Sequence, residues 1–177
     1  MDAIEAVHTR RSIRAYTGQT PDRATIEAVI DDAAHAPPPF SGQLPWTFNV
    51  IEGVARIAAL GERALQYARE QYRGEPGGGW VDRPGFKIFW DAPVVIVISG
   101  NVEDCCRAGM ILTLSAHARG LGTCWVGSPM QWLRTAEAKA ELGIPAGLVP
   151  VSAICLGYGE GPSPPAPERK MPAVVWA

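Results

Sequence analysis

A chain of 177 residues with 47% hydrophobic and 19% charged side chains can bury a real core without staples and is too apolar to stay disordered. A formal charge of −2 supplies no bulk positive field, so nucleic acid and anionic membrane are excluded as partners drawn by net charge. One domain over residues 1–177 is expected, and the longest strongly apolar run, residues 92–99, is far too short to span a bilayer.

The N-terminus, Met1-Asp2-Ala3-Ile4-Glu5, carries acids where a signal peptide needs basic and then apolar residues, so a soluble cytoplasmic protein is expected. Asp2 can cap a short first helix that runs into Thr9-Arg10-Arg11-Ser12-Ile13-Arg14. A second helix starts at Thr20 as N-cap with Pro21 in its first position, carries Ile26, Val29, Ile30 and Ala33 at helical spacing, and stops before Pro37. Residues 46–51 read as a strand and 54–72 as a helix with Ile57, Leu60, Ala64 and Tyr67 on one stripe. Residues 74–87 have no periodicity and form a loop whose Trp80 and Phe86 are placed to lie over something.

The run 92–99 is a β-branched strand, buried on both faces, so helices must cover both sides of its sheet. Residues 103–119 form a helix stopped by Gly120 and apolar or small almost all round, which demands a central position or a partner chain. A short strand at 121–126, a small helix at 135–142 and an apolar strand at 151–158 follow. The proline-rich tail is extended, and Val174-Val175-Trp176 can add an edge strand. The sum is an α+β domain with a mixed or antiparallel sheet of about four or five strands.

Several patterns imitate known sites and fail. Gly120-Leu121-Gly122 follows a helix, whereas a dinucleotide loop follows a strand. The glycine spacing from Gly122 to Gly127 lacks the lysine of a phosphate loop. His8, His35 and His117 are far apart, and Cys105, Cys106, Cys124 and Cys155 contain no CxxC pair, so no metal site is expected. The cysteines are expected to be small buried residues and the histidines structural.

One constellation carries a signal. Thr9 to Arg14 places three guanidinium groups and two hydroxyls within six residues, the densest cationic stretch of an acidic chain. Guanidinium forks match phosphate oxygens, and a serine hydroxyl adds a further bond, so a phosphate clamp competes here with a solvated basic turn.

Arg10-Arg11-Ser12-Ile13-Arg14 is followed by Pro45-Trp46-Thr47-Phe48, Ala92-Pro93-Val94-Val95, Gly120-Leu121-Gly122-Thr123-Cys124-Trp125-Val126-Gly127, Leu156-Gly157-Tyr158 and Arg169. In this order, over nearly the whole chain, the sequence resembles the FMN-dependent nitroreductase family. The resemblance implies a three-layer α+β fold and an intertwined homodimer with FMN sites at the subunit interface. It implies that Arg10, Arg11 and Ser12 hold the FMN phosphate and ribityl chain, with Arg169 closing the phosphate side. Arg14 would stand at the N1–C2 edge of the ring, where a fixed cation stabilises the reduced flavin. Pro38, Pro39, Phe40 and Ser41 would come from the other subunit. The backbone of Val126, Gly127 and Ser128 would face flavin N5, where glycine permits close approach. Prolines and Phe40 stand where the family usually has serines, so the pocket is expected to be more apolar than usual.

The implied activity takes a hydride from NADPH or NADH through flavin N5 to a small acceptor: a nitroaromatic, a quinone or an activated alkene. The rival readings are another flavin task on the same fold, such as reductive dehalogenation or flavin degradation, and a non-catalytic flavin-binding module.

Overall fold

The computed structural model of the chain describes residues 1–37 and 46–176. The expectations for Pro38, Pro39, Phe40 and Ser41 lie outside the described residues. In chain order the elements are α1 (Ala3–Thr9), α2 (Arg23–Ala34), β1 (Trp46–Glu52), α3 (Val54–Tyr72), a 3-10 turn (Gly78–Asp82), β2 (Val94–Gly100), α4 (Val102–Ala118), β3 (Gly122–Val126), α5 (Met130–Leu133), α6 (Ala136–Glu141) and β4 (Pro150–Gly157).

Among the described residues, four strands form one sheet in the order β1-β2-β4-β3, and the pairings between them are antiparallel. Strand β2 is buried on both faces, and its side chains divide with the period of two that a strand imposes. Val94, Ile96 and Ile98 join Val29, Ala33, Leu112 and Ala116 under α2 and α4. Val95 and Val97 join Ile57, Leu60, Ala64 and Leu133 under α3 and α5. The result is the expected three-layer α+β sandwich, helices on both faces of a central sheet. At roughly 1.5–3 kcal/mol for each fully buried aliphatic side chain, these two cores dominate the favourable side of folding.

The expectations failed in several places. The second helix is capped by Asp22, whose carboxylate accepts a 2.7 Å bond from the Thr25 amide, and not by Thr20. A carboxylate at the cap also meets the positive end of the helix, which a threonine hydroxyl does not. Cys106 is exposed, while Cys105, Cys124 and Cys155 are buried as expected. Helix α5 escaped the sequence reading because four residues are too few to show a period. Val174, Val175 and Trp176 form no strand; they are exposed.

Candidate functional site

The cationic stretch is built by the end of α1 and the open edge of β3. Asp2 caps α1 by accepting from the Glu5 amide at 2.8 Å, and the Arg10 amide closes the last turn on the Ala6 carbonyl at 3.0 Å. Beyond Arg10 the chain becomes extended. Ser12 pairs in parallel with Thr123 of β3, and the Ile13 amide donates to the Thr123 carbonyl at 2.8 Å. Tyr16 then bridges to Gly159, and its hydroxyl donates to the Ile13 carbonyl at 2.8 Å. The arginine stretch therefore covers the edge of the sheet, where unpaired backbone groups would otherwise face solvent.

Arg10, Arg11 and Arg169 act on one another electrostatically. Arg10 is half-buried, and its guanidinium is held below its usual range by burial first, then by the charges of Arg169 and Arg11. Arg11 lines a cavity of about 280 Å³ together with Val7, His8, Pro167 and Arg169. Among the described residues, none of Arg10, Arg11, Arg14 and Arg169 is in an ion pair, although seven other basic side chains are: Arg23, Arg63, Arg69, Arg73, Lys87, Arg107 and Arg119. Cations that gather without carboxylates repel each other, and an anion with several oxygens relieves the repulsion.

The two members of the Arg-Arg pair are not equivalent. Arg11 Nη1 donates to the carbonyls of His8 and Arg10, each at 2.8 Å, while its buried Nε has no partner. Part of the Arg11 fork thus closes its own turn at the end of α1.

Arg14 lies on the other side of this edge. Its guanidinium carbon is 5.7 Å from the centroid of the Trp90 ring. It also reaches Cys124: burial pushes that thiol up, and the charge and hydrogen bond of Arg14 pull the other way. Val126 ends β3, and Gly127 and Ser128 follow it in the turn that leads to α5. A methyl group added at Gly127 would meet nothing within 4 Å, so the space before this backbone is open.

Strand β3 thus lines up Ser12 at Thr123, Arg14 at Cys124, and the open backbone at its far end. His117 and Trp90 belong to the same neighbourhood and were missed from sequence. His117 Nε2 lies 2.8 Å from Thr9 Oγ1, and no local pattern could have announced a contact across 108 positions. Trp90 lacks even the glycines that drew notice to the preceding loop.

The profile of the Nitroreductase family matches residues 7–158. The chain belongs to the nitroreductase family. Among its relatives within that family is a protein of Methanothermobacter thermautotrophicus named "Putative NADH dehydrogenase/NAD(P)H nitroreductase", 32% identical over 171 residues, which span 89% of this chain and 78% of the relative. The fold matches that of a Bacteroides fragilis nitroreductase with bound FMN at a TM-score of 0.88 and 20% identity, over 100% of this chain and 99% of the other. It also matches an iodotyrosine deiodinase bound to FMN and 3-iodo-L-tyrosine at a TM-score of 0.77 and 18% identity, over 96% of both chains. At these identities the likeness to solved structures is one of fold, and the nitroreductase-like fold is as expected. Among the described residues, no helix is long and apolar enough to cross a membrane.

Proposed function

We propose that this nitroreductase-family chain is an FMN-dependent oxidoreductase, one FMN-binding domain over residues 1–177, that works as a homodimer. The observation that carries the reading is the group Arg10, Arg11 and Arg169: Arg11 and Arg169 line one cavity beside the half-buried Arg10, and among the described residues none of the three has a carboxylate partner. The phosphate of FMN supplies the missing anion, and FMN is what the Bacteroides fragilis neighbour binds.

Arg10 and Arg169 hold the phosphate, and the Ser12 hydroxyl adds a neutral bond beside it. Arg14 presents a permanent positive charge to the pyrimidine edge of the ring; a guanidinium does not give up its proton near neutral pH, so it serves as an electrostatic partner and not as an acid. The backbone of Val126, Gly127 and Ser128 borders the ring without a side chain in the way at Gly127. Pro38, Pro39, Phe40 and Ser41 of the second copy complete the pocket in this reading. FMN, when bound, supplies hydride acceptance from NADPH or NADH and hydride donation to a nitroaromatic, quinone or activated alkene. No side chain is required as a general acid, because solvent supplies protons.

A second copy is supported by surface that one chain leaves uncovered. Val102, Cys106 and Met110 are exposed at helical spacing along α4, and Ile4 and Val7 are exposed on α1. Val175 and Trp176 are 90% and 92% exposed. Apolar side chains gathered in this way mark an interface.

The test is the visible spectrum of the purified protein after incubation with FMN, before and after anaerobic addition of NADPH or NADH. A bound flavin spectrum that bleaches, and returns with a quinone or a nitroaromatic, is expected. A protein that retains no flavin overturns the reading. A flavin that stays oxidised makes the chain a flavin-binding module. Bleaching that nitro compounds and quinones do not reverse makes it an enzyme of another flavin task.

A further inference from the structure

Arg14 has a long, flexible stem and an exposed position, and among the described residues it pairs with no carboxylate. A charge on such a stem is not aimed by its own backbone, because the free side chain samples many rotamers. Something must hold it if it is to act at one edge of a ring.

Trp90 is built for that purpose. Tryptophan gives the strongest cation–π contact of the aromatic residues, and its ring centroid is 5.7 Å from the Arg14 guanidinium carbon. The indole is itself held from two sides. Trp90 and Asp91 have φ of 56° and 55°, a left-handed conformation that non-glycine residues rarely adopt once, still less twice in succession. The turn is closed by the Ala92 amide donating to the Phe89 carbonyl at 3.0 Å, and Asp91 is paired with Lys87. On its edge, Trp90 meets Phe86 at 5.5 Å and 82°, and Phe86 meets Trp80 at 5.5 Å. Trp90 also packs against the core under α3, so the left-handed turn and the core together fix where its ring stands. Strain of this kind persists where the surroundings enforce it, and it concentrates at functional sites.

We infer that Trp90 is a positioning residue for Arg14: the strained 90–91 turn aims the indole, and the indole aims the guanidinium at the flavin ring. The inference rests on the FMN reading above, and it adds a residue that touches the ring only through Arg14.

Two measurements test it. In the flavin-free protein, the Arg14 side-chain protons carry an upfield ring-current shift in NMR spectra, and W90L removes it. Unchanged Arg14 resonances in W90L overturn the inference whether or not FMN binds. In the FMN-loaded protein, W90L weakens the preference for reduced over oxidised flavin about three- to fivefold, the scale of an exposed cation–π contact. For a two-electron couple this lowers the midpoint potential by about 15–20 mV. W90F, which keeps a ring, falls between parent and W90L. In an R14Q background, W90L leaves the potential where R14Q alone put it. The same shift with and without Arg14 means that Trp90 acts on the ring directly or only through stability, and the assignment fails. A parent protein that takes up no FMN refutes the flavin reading instead, and leaves the NMR result to decide on Trp90.

Discussion

Gly122 and Ile13 touch so closely that any side chain at Gly122 would force Ile13 to move: a Cβ there would stand 2.8 Å from the Cβ of Ile13. This contact joins the glycine motif of β3 to the arginine stretch from α1. The second glycine of Gly120-Leu121-Gly122, which imitates a nucleotide loop, is a seat for the extended segment that follows α1.

Gly122→Ala is therefore expected to push Ile13 off β3, strain the Ser12–Thr123 pairing and misplace the arginines. Overpacking of this kind costs about 1–3 kcal/mol. Thermal unfolding should show a lower Tm, and titration with FMN a weaker affinity. Ile13→Ala in the Gly122→Ala background restores part of both, because it removes the two γ carbons that also collide and leaves only the Cβ, which the backbone can shift to relieve. A Gly122→Ala variant with the parent's Tm and FMN affinity would show that the contact positions nothing.

The two arginines of the pair should separate on mutation. Arg10→Ala removes a charge-assisted phosphate contact worth about 1.5–3 kcal/mol, at least a tenfold loss of FMN affinity by fluorescence titration. Arg11→Ala costs less affinity, because part of its fork already serves the His8 and Arg10 carbonyls. It costs about 0.5–1.5 kcal/mol of stability instead. If Arg11→Ala weakens FMN more than Arg10→Ala, the phosphate belongs to Arg11.

His117 should report on the charge of the site. Thr9 Oγ1 already donates to the Glu5 carbonyl at 2.7 Å, so its contact with His117 requires Nε2 to be the donor and leaves Nδ1 to titrate. Burial first, then the charges of Arg10 and Arg11, hold His117 below its usual value, while Glu5 opposes them. The unfolded chain thus binds this proton more readily than the folded one. The associated stability is present above pH of about 6.5 and is lost as pH falls through the folded value. His117→Gln should flatten the stability profile in that window, read by urea unfolding at several pH values. Phosphate bound at Arg10 offsets the repelling charges and should raise the His117 titration point in NMR. A titration point indifferent to saturating phosphate or FMN would place the anion elsewhere.

The uncovered face of α4 should hold two copies together. Sedimentation of the parent at micromolar concentration is expected to give a dimer, with an interface above about 2,000 Å² as for permanent pairs. Met110→Glu sets a charge in that apolar face on both copies and should shift the protein toward monomer, with loss of FMN. A parent that sediments as a monomer while keeping FMN would refute the dimer.

Much of the molecule is written in local pattern. The β-branched run around Val95 can only be a strand covered on both faces, and the cap at Asp2, the stripe from Ile57 to Ala64 and the stop at Gly120 each follow from nearest-neighbour chemistry. The concentration of positive charge at Arg10, Arg11 and Arg14 is likewise visible before any fold is known. What required the tertiary structure is everything set by contacts between distant segments. Helix α2 and β1 come together only through packing, so strand order and the antiparallel sheet have no local signature. The sequence shows three equal arginines, whereas the fold turns Arg11 toward its own backbone, leaves Arg10 pressed by Arg169, and lays Arg14 on Trp90. Local pattern constrains φ, ψ and burial because these depend on neighbours a few residues away. The direction in which a long charged side chain points depends on whatever the folded chain brings beside it.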